Sequence, residues 1–573
     1  MSGLSSCLVV ARLDHDGLRP LVQTRLRALE AWYRPLGPVR VWTRWLAGAS
    51  TVIAEIAFGD DASPGAAGPD LAWGADGRGA AVKGLLEAGD AQLRQLDCFG
   101  AFVSAGDARM RVVSGTGPTA LYAAGSAGSA VQAWSSHATA AGLLAQGSVE
   151  LDVELIPELF AISYVGLGAT HLRGVRAVPP ATCIDIQCGK VTTRSFLTAR
   201  QRYELIPERE ALDIAENALL AFLQRSLAGT RAPWLGLTAG LDSRALAAAI
   251  TQLGLPIRAF TWSHADGDEA VGASAVAGVF GITYECRTPD VISDECCRAR
   301  TDADVRWSDG LMRAGALFAP TWPDDITHFV TGNSGEIGRA HTYAQRVREF
   351  RREPSPPVLA RLLRADESIR YAHPDARRLV RDRAAQMVDR ALEAGLRGWR
   401  VLDGVYYEER QQRFIRALWN RSSAAVIAPY LHAEVGRALI SMPLQQRLDG
   451  ALHRRLVERV APSLTGQPSS LQRRRAPILA RRVASEARRH RLRARPRVFA
   501  FAAEWQRRPQ TRQWLLEGVL RDPLLDDALG ARWVSSTWSG FVADAEPATF
   551  ATLQAAALCS YRDALAELNR PTG

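Results

Sequence analysis

The chain has 573 residues, 47% of them hydrophobic and 23% charged, with a formal net charge of +10. That length predicts about two to four domains, and the composition excludes whole-chain disorder and a fibrous repeat. No apolar run approaches the roughly 18 residues of a membrane helix, and the short apolar run near the N-terminus has no basic residue before it, so neither a membrane span nor a signal peptide is expected.

The first 125 residues alternate short apolar runs with glycine-rich turns. Cys7–Ala11, Val39–Trp42 and Thr51–Phe58 read as strands. Gly59–Gly79 reads as a loop, Phe99–Val103 with Met110–Val113 as a hairpin, and Leu121–Ala124 as a further strand. The pattern predicts an α+β domain over 1–200. Near Pro207 the period changes. Ala211, Ala215, Ala218, Leu219, Phe222 and Leu223 take helical spacing between Glu208 and Ser226. Then follow a strand at Trp234–Leu237, a helix over Arg244–Leu253, a strand at Ile257–Trp262, a helix over Glu269–Phe280 and a strand at Ile282–Cys286. This βαβαβ order predicts a doubly wound parallel sheet in a second domain over 208–573. His328–Gly332 is a later strand, and from about 356 the pattern is mostly helical.

The most informative segment is Leu235-Gly-Leu-Thr-Ala-Gly-Leu-Asp-Ser-Arg244. A strand runs into a turn of small residues that opens a helix, which is how backbone N–H groups are brought close to an anion. The candidate ATP and pyrophosphate residues are Leu237, Thr238, Ala239, Gly240, Leu241, Asp242 and Ser243. Asp242 suits Mg2+ on a pyrophosphate, or caps the helix. A second strand-turn-carboxylate segment, His328 to Arg339, supplies Gly332, Asn333 and Glu336. In a parallel sheet both turns fall at the C-terminal strand edge, where Asp242 and Glu336 are placed to share the metal. Between them, Thr261 in Phe260-Thr-Trp-Ser marks either an adenosine slot or ordinary strand-to-helix packing.

These segments, in this order, resemble the asparagine synthetase superfamily over nearly the whole chain. Thr238-Ala-Gly-Leu-Asp-Ser243 is similar to the family's Ser-Gly-Gly-Leu-Asp-Ser loop, and Gly332-Asn-Ser-Gly-Glu336 to its later Gly-x-Gly-x-Asp loop. Asp403–Arg410 with Pro429-Tyr-Leu-His resembles its helical substrate region. Leu96-Asp97 and Ala169–Pro180 resemble its N-terminal amidotransferase-like (Ntn-type) domain. The resemblance implies an α/β ATP-pyrophosphatase domain after a degenerate amidotransferase-like domain, with ATP activating a carboxylate to an acyl-adenylate. Glutamine-dependent members need cysteine directly after the initiator Met; here Ser2 stands there, so glutamine is not expected to serve as the nitrogen source.

Three branches then differ in the nucleophile. Lasso-peptide cyclases join a peptide's N-terminal amine to an Asp or Glu side chain, and this chain is most like them. The weak marks are Ser114 to Tyr122 and the basic Pro468–Arg475 segment. β-Lactam-type synthetases close small rings with a Tyr–Glu pair and a C-terminal lysine. Here Asn333 stands in the tyrosine's place, and no lysine follows Lys190. An ammonia-dependent asparagine synthetase-like enzyme is the third. The resemblance implies a leader-cleaved core peptide as substrate, with a leader peptidase and a precursor-recognition protein as partners. Glu408 and Glu409 are candidate bases for the second step, or a helix-surface pair with Arg410 and Arg413. Arg473 is a candidate electrostatic substitute for the missing lysine.

Charge and cysteine content fit this picture. Arginine supplies all but two of the basic residues, and fourteen arginines lie between Arg473 and Arg512. That run is either a solvated face or a surface for an acidic partner. An RNA-binding base-modifying protein is the other class it would suit, but no aromatic-interleaved basic motif supports nucleic acid. Eight cysteines without zinc spacing predict free thiols in a reducing cytoplasm. Ala239 and Glu336 depart from the family pattern, and a non-catalytic relative would share that departure.

Overall fold

The computed structural model describes residues 6–570, leaving aside 37, 47–49, 59–70, 75–87, 96–100, 106–108, 116–119, 127, 188–189, 231–232, 264–267, 288–293, 312–327, 341–342, 344–346, 348–352, 364–368, 416–424, 465–508 and 543–545. Among the described residues it is a mixed α/β protein with three sheets.

The N-terminal part supplies eleven strands among the described residues: β1 (Ser6–Leu13), β2 (Val39–Trp45), β3 (Thr51–Phe58), β4 (Leu71–Gly74), β5 (Ala101–Ala105), β6 (Arg109–Ser114), β7 (Tyr122–Ala124), β8 (Val131–Ser135), β9 (Val175–Ala177), β10 (Thr182–Gln187) and β11 (Lys190–Ser195). Six form one antiparallel sheet in the order β2-β3-β1-β8-β7-β9, and five form another in the order β11-β10-β6-β5-β4. Period-two alternation explains why they stack. Val10, Ile53 and Trp134 leave one face of the first sheet and meet Met110, Val112, Ile184 and Ile186 of the second. Cys7, Val9 and Ala11 point the other way, under helices α1 (Arg19–Tyr33) and α2 (Ala138–Gln146).

The hairpin expected at 99–113 is present as β5 and β6. The loop expected over Gly59–Gly79 is corrected in one respect: Leu71–Gly74 is a strand, because it pairs antiparallel with β5 across the sheet edge, a contact that local composition does not encode.

The third sheet is parallel: β12 (Trp234–Gly236), β13 (Arg258–Trp262), β14 (Thr283–Arg287), β15 (His328–Val330) and β16 (Ala425–Ile427), in the order β14-β13-β12-β15-β16. The chain starts at the centre, builds outward through β13 and β14, then returns to the other side of β12. The order therefore reverses between β12 and β15. Helix α3 (Glu208–Leu227) precedes β12 in sequence, α4 (Leu241–Gln252) lies between β12 and β13, and α5 (Asp268–Phe280) lies between β13 and β14. Helix α4 is buried from Ser243 to Ile250. Beyond 356 come α6 (Pro374–Glu393), a π-helical segment at Tyr406–Ile415, α7 (Ala433–Ser441) and α8 (Ala451–Val460). Strand β16 interrupts the helical stretch because its Ala-Val-Ile run completes the sheet beside β15.

The last helix, α9 (Glu546–Leu568), does not join the parallel sheet. Its Leu553, Leu558 and Tyr561 belong to the core under the first sheet, and Tyr561 Oη lies 2.5 Å from Thr139 Oγ1 on α2. Asn569 bonds both the N–H and the carbonyl of Val149.

Candidate functional site

The reversal of strand order puts the ends of β12 and β15 side by side, and both run into small-residue turns. After β12, Thr238 and Ser243 close the turn on itself. The Thr238 N–H donates to Ser243 Oγ at 3.0 Å, and the Gly240 N–H donates to Thr238 Oγ1 at 3.0 Å. The Ala239 N–H donates to Glu269 Oε1 at 2.8 Å. Helix α4 starts behind Gly240 with no side-chain cap. Asp242 therefore does not cap it, and its carboxylate is available for tertiary contacts.

The second turn presses against the first. A Cβ at Gly332 would lie 3.0 Å from the Ser243 nitrogen, and one at Gly335 would lie 2.7 Å from the Asp242 side chain. Glycine is needed at both for the turns to touch. Between them Ser334 is held at φ +73°, fully buried, in the left-handed region that a glycine would occupy more easily. The two turns picked out from sequence are thus brought into contact.

The groups around the carboxylates were not all legible beforehand. Arg339 donates to Asp242 through Nε at 2.9 Å and Nη2 at 2.5 Å, a two-pronged pairing. His453 of α8, fully buried, places Nε2 2.9 Å from Asp242 Oδ1. Tyr430 donates to the Asp242 carbonyl at 3.2 Å, and its ring stacks on His453. Burial opposes ionisation of Asp242, but Arg339 and His453 outweigh it and hold the carboxyl at about 2.

Glu336 sits among neutral donors. Its Oε1 accepts from Tyr406 and, at 3.0 Å, from Gln411 Nε2. Both donors come from the π-helical segment, where i→i+5 bonding brings residues five apart onto one side. Burial and the Glu336 charge push Tyr406 well above an ordinary phenol, so it stays protonated and donates. Arg410 donates to the Tyr406 hydroxyl at 2.6 Å. A Tyr–Glu contact is therefore present, through Tyr406 and not through position 333. Asn333 is placed by its own N–H, which donates to Thr331 Oγ1 at 3.2 Å.

The remaining candidates divide. Thr261 is buried and donates to the Leu237 carbonyl, tying β13 to the end of β12. Ala239 packs so closely on Gly272 of α5 that a Cβ there would lie 2.5 Å from the Ala239 methyl. Glu408 accepts from Arg202 Nε at 2.7 Å and from Tyr203 at 2.8 Å, and Glu409 accepts from the Leu167 N–H at 2.9 Å. They line a cavity of about 770 Å3 with Leu167, Ala177, Met387 and Arg390, and its lining includes neither Asp242 nor Glu336. Arg410 donates to the Tyr406 hydroxyl and sits over its ring, and the side chain of Arg413, the other arginine of the expected surface pair, lies outside the described residues. Arg473 lies outside the described residues.

A magnesium ion takes hard oxygen donors, usually one or two carboxylates together with phosphates. Asp242, held ionised, and Glu336 fit that donor set. The Arg339 fork occupies both Asp242 oxygens and would have to yield one. Among the described residues no group of three or more His, Cys, Asp or Glu side chains forms a metal cage.

No family model matches the chain, and no curated protein matches it. Among solved structures it is similar to the glutamine phosphoribosylpyrophosphate (PRPP) amidotransferase from B. subtilis complexed with ADP and GMP, at 10% identity and a TM-score of 0.17, over 58% of this chain and 77% of that one. A likeness this slight bears on neither fold nor function. No helix among the described residues is long and apolar enough to cross a membrane.

Proposed function

We propose that this chain is an ATP-dependent, AMP-forming carbon–nitrogen ligase that adenylates an Asp or Glu side chain of a peptide and closes a macrolactam with the peptide's N-terminal amine. One observation carries the reading: two glycine turns from adjacent parallel strands meet where strand order reverses, with Asp242 ionised between them. Open parallel sheets bind their ligands at that crevice, and the free N-terminus of α4 favours an anion there.

The chemistry follows in two steps. An oxygen of the substrate carboxylate attacks the α-phosphorus of ATP, the bond to the β-phosphate oxygen breaks, and pyrophosphate leaves. The start of α4 and the Thr238–Ser243 turn hold the departing anion. Asp242 and Glu336 are the residues to hold Mg2+, which supplies charge neutralisation on phosphate oxygens when bound. In the second step the amine nitrogen attacks the acyl carbon, AMP leaves, and the amine gives up its proton. Glu408 and Glu409 are the candidate acceptors of that proton.

Peptide-dependent exchange of labelled pyrophosphate into ATP tests the first step. Exchange that requires a peptide carboxylate supports the reading, and conversion of ATP to ADP without exchange removes it. A second reading, small-ring closure, gains from the Tyr406–Glu336 contact. It lacks a lysine anywhere after Lys190.

A further inference from the structure

Gln411 is fully buried. Its terminal amide is half used: Nε2 donates to Glu336 Oε1 at 3.0 Å, while Oε1 has no partner. The orientation of the amide follows from chemistry. An ionised carboxylate can only accept, so the nitrogen faces Glu336 and the oxygen is the group left over. Buried amide oxygens are nearly always satisfied, and an exception asks for an explanation. The π-helical geometry makes the arrangement specific. Five-residue spacing sets Gln411 and Tyr406 together on one carboxylate, and in an α-helix positions 406 and 411 would face apart.

We infer that Gln411 Oε1, beside the Glu336 carboxylate, is the acceptor for the N–H groups of the attacking amine, so that these two side chains form its binding subsite. The inference deepens the proposed ligase reading and rests on it. The missing partner must be a donor. Phosphates and the substrate carboxylate are acceptors only, so they cannot fill the place. An amine or ammonium carries several N–H groups and suits an amide oxygen next to a carboxylate, one hydrogen bond to each. Tyr406 and the Gln411 nitrogen both donate to Glu336 Oε1, which fixes the carboxylate beside the amide oxygen. Gln411 is in these terms a substrate-binding residue.

Glycinamide, an amine with no carboxylate, is the probe for a peptide N-terminus. Its binding and that of ATP are measured by calorimetry on the full chain, for the unaltered protein and for Gln411→Met, which keeps size and removes the amide. Gln411→Leu is the second variant, and thermal unfolding checks that each folds. The expected result is glycinamide binding weakened about tenfold or more in both variants, with ATP binding within about twofold. Unchanged glycinamide binding, or none by the unaltered protein, overturns the subsite while leaving the ligase reading to stand on ATP binding. If ATP affinity falls instead, the amide serves the nucleotide, through Glu336 or through the nucleotide's own amino group, and the amine assignment is overturned. Absence of ATP binding by the unaltered protein removes the ligase reading and this inference with it. Should both variants fail to fold, Gln411→Glu, which keeps an acceptor oxygen, must retain glycinamide binding for the inference to survive.

Discussion

Replacing Asp242 by Asn keeps the shape of the side chain and removes its charge. The structure lets the cost be worked out. Asp242 holds both prongs of Arg339, at 2.9 and 2.5 Å, with side-chain exposures of 19% for Asp242 and 13% for Arg339. Stranding one member of a well-buried pair costs about 3–5 kcal/mol, and this pair is not wholly buried. The titration gives a second figure. A carboxyl at about 2 in the fold, against an ordinary 3.8, contributes about 2 kcal/mol of stability, at about 1.4 kcal/mol per pH unit. Because the folded value is depressed, this stability is fully present above 3.8 and is lost as pH falls through about 2. Asp242→Asn is therefore expected to be destabilised by about 2–3 kcal/mol near neutral pH. The gap from the unaltered protein should narrow below pH 3.8 and nearly close at about pH 2. Urea unfolding of both proteins across that range measures it, and the difference between them removes the titration of the other carboxylates. Equal stability at neutral pH, or a gap that does not change with pH, would refute the reasoning. Pyrophosphate exchange is also expected to be lost in this variant, by about 100-fold or more if the charge clamp is essential.

Three further outcomes are expected. Ser334→Gly should raise the melting temperature, since relief of a left-handed serine, about 1–2 kcal/mol, outweighs glycine's added unfolded-state entropy of about 0.4–1 kcal/mol; calorimetric scanning would decide, and a lower melting temperature counts against strain at φ +73°. Arg447 gives two bonds of 2.7 Å to Asp403, one to Tyr343 and two to the Ile337 carbonyl, all buried, so Arg447→Met should cost about 3–5 kcal/mol by stranding Asp403, and the Asp403→Leu, Arg447→Met pair less than the two single changes added together in the same denaturation assay. Arg473→Gln should lower kcat and kcat/KM together if the guanidinium meets charge that develops in the transition state; unchanged kinetics returns the basic stretch to a solvated face.

What was legible in the sequence was what the chain writes locally. The strands at Cys7–Ala11 and Thr51–Phe58 show as short apolar runs, and the turn at Thr238–Ser243 shows its small residues beside one another. The βαβαβ rhythm after Pro207 carried the parallel sheet. What was not legible depends on distant pairing. Strand Leu71–Gly74 exists because β5 lies beside it, and no composition signal marks it within a Gly- and Ala-rich stretch. His453 sits in an ordinary amphipathic helix and meets Asp242 only because α8 packs on α4. Tyr406 and Gln411 are five apart, a spacing that an α-helical reading sends to different faces, so their convergence on Glu336 needed the π-helical register. Glu408 and Glu409 stand out as adjacent carboxylates, yet their place is set by Arg202, Tyr203 and Leu167 of the other part of the chain.

The central claim is that ATP is split to AMP and pyrophosphate to join a side-chain carboxylate to an amine within one peptide. Its most direct test is incubation of the full chain with ATP, magnesium and a set of leader-free peptides bearing an internal Asp or Glu, followed by mass spectrometry of peptide and nucleotide together. The expected product is a peptide that has lost one water and has no free N-terminal amine, with one AMP formed for each. ADP as the nucleotide product, or AMP formed with every peptide left at its starting mass and its amine free, would contradict it.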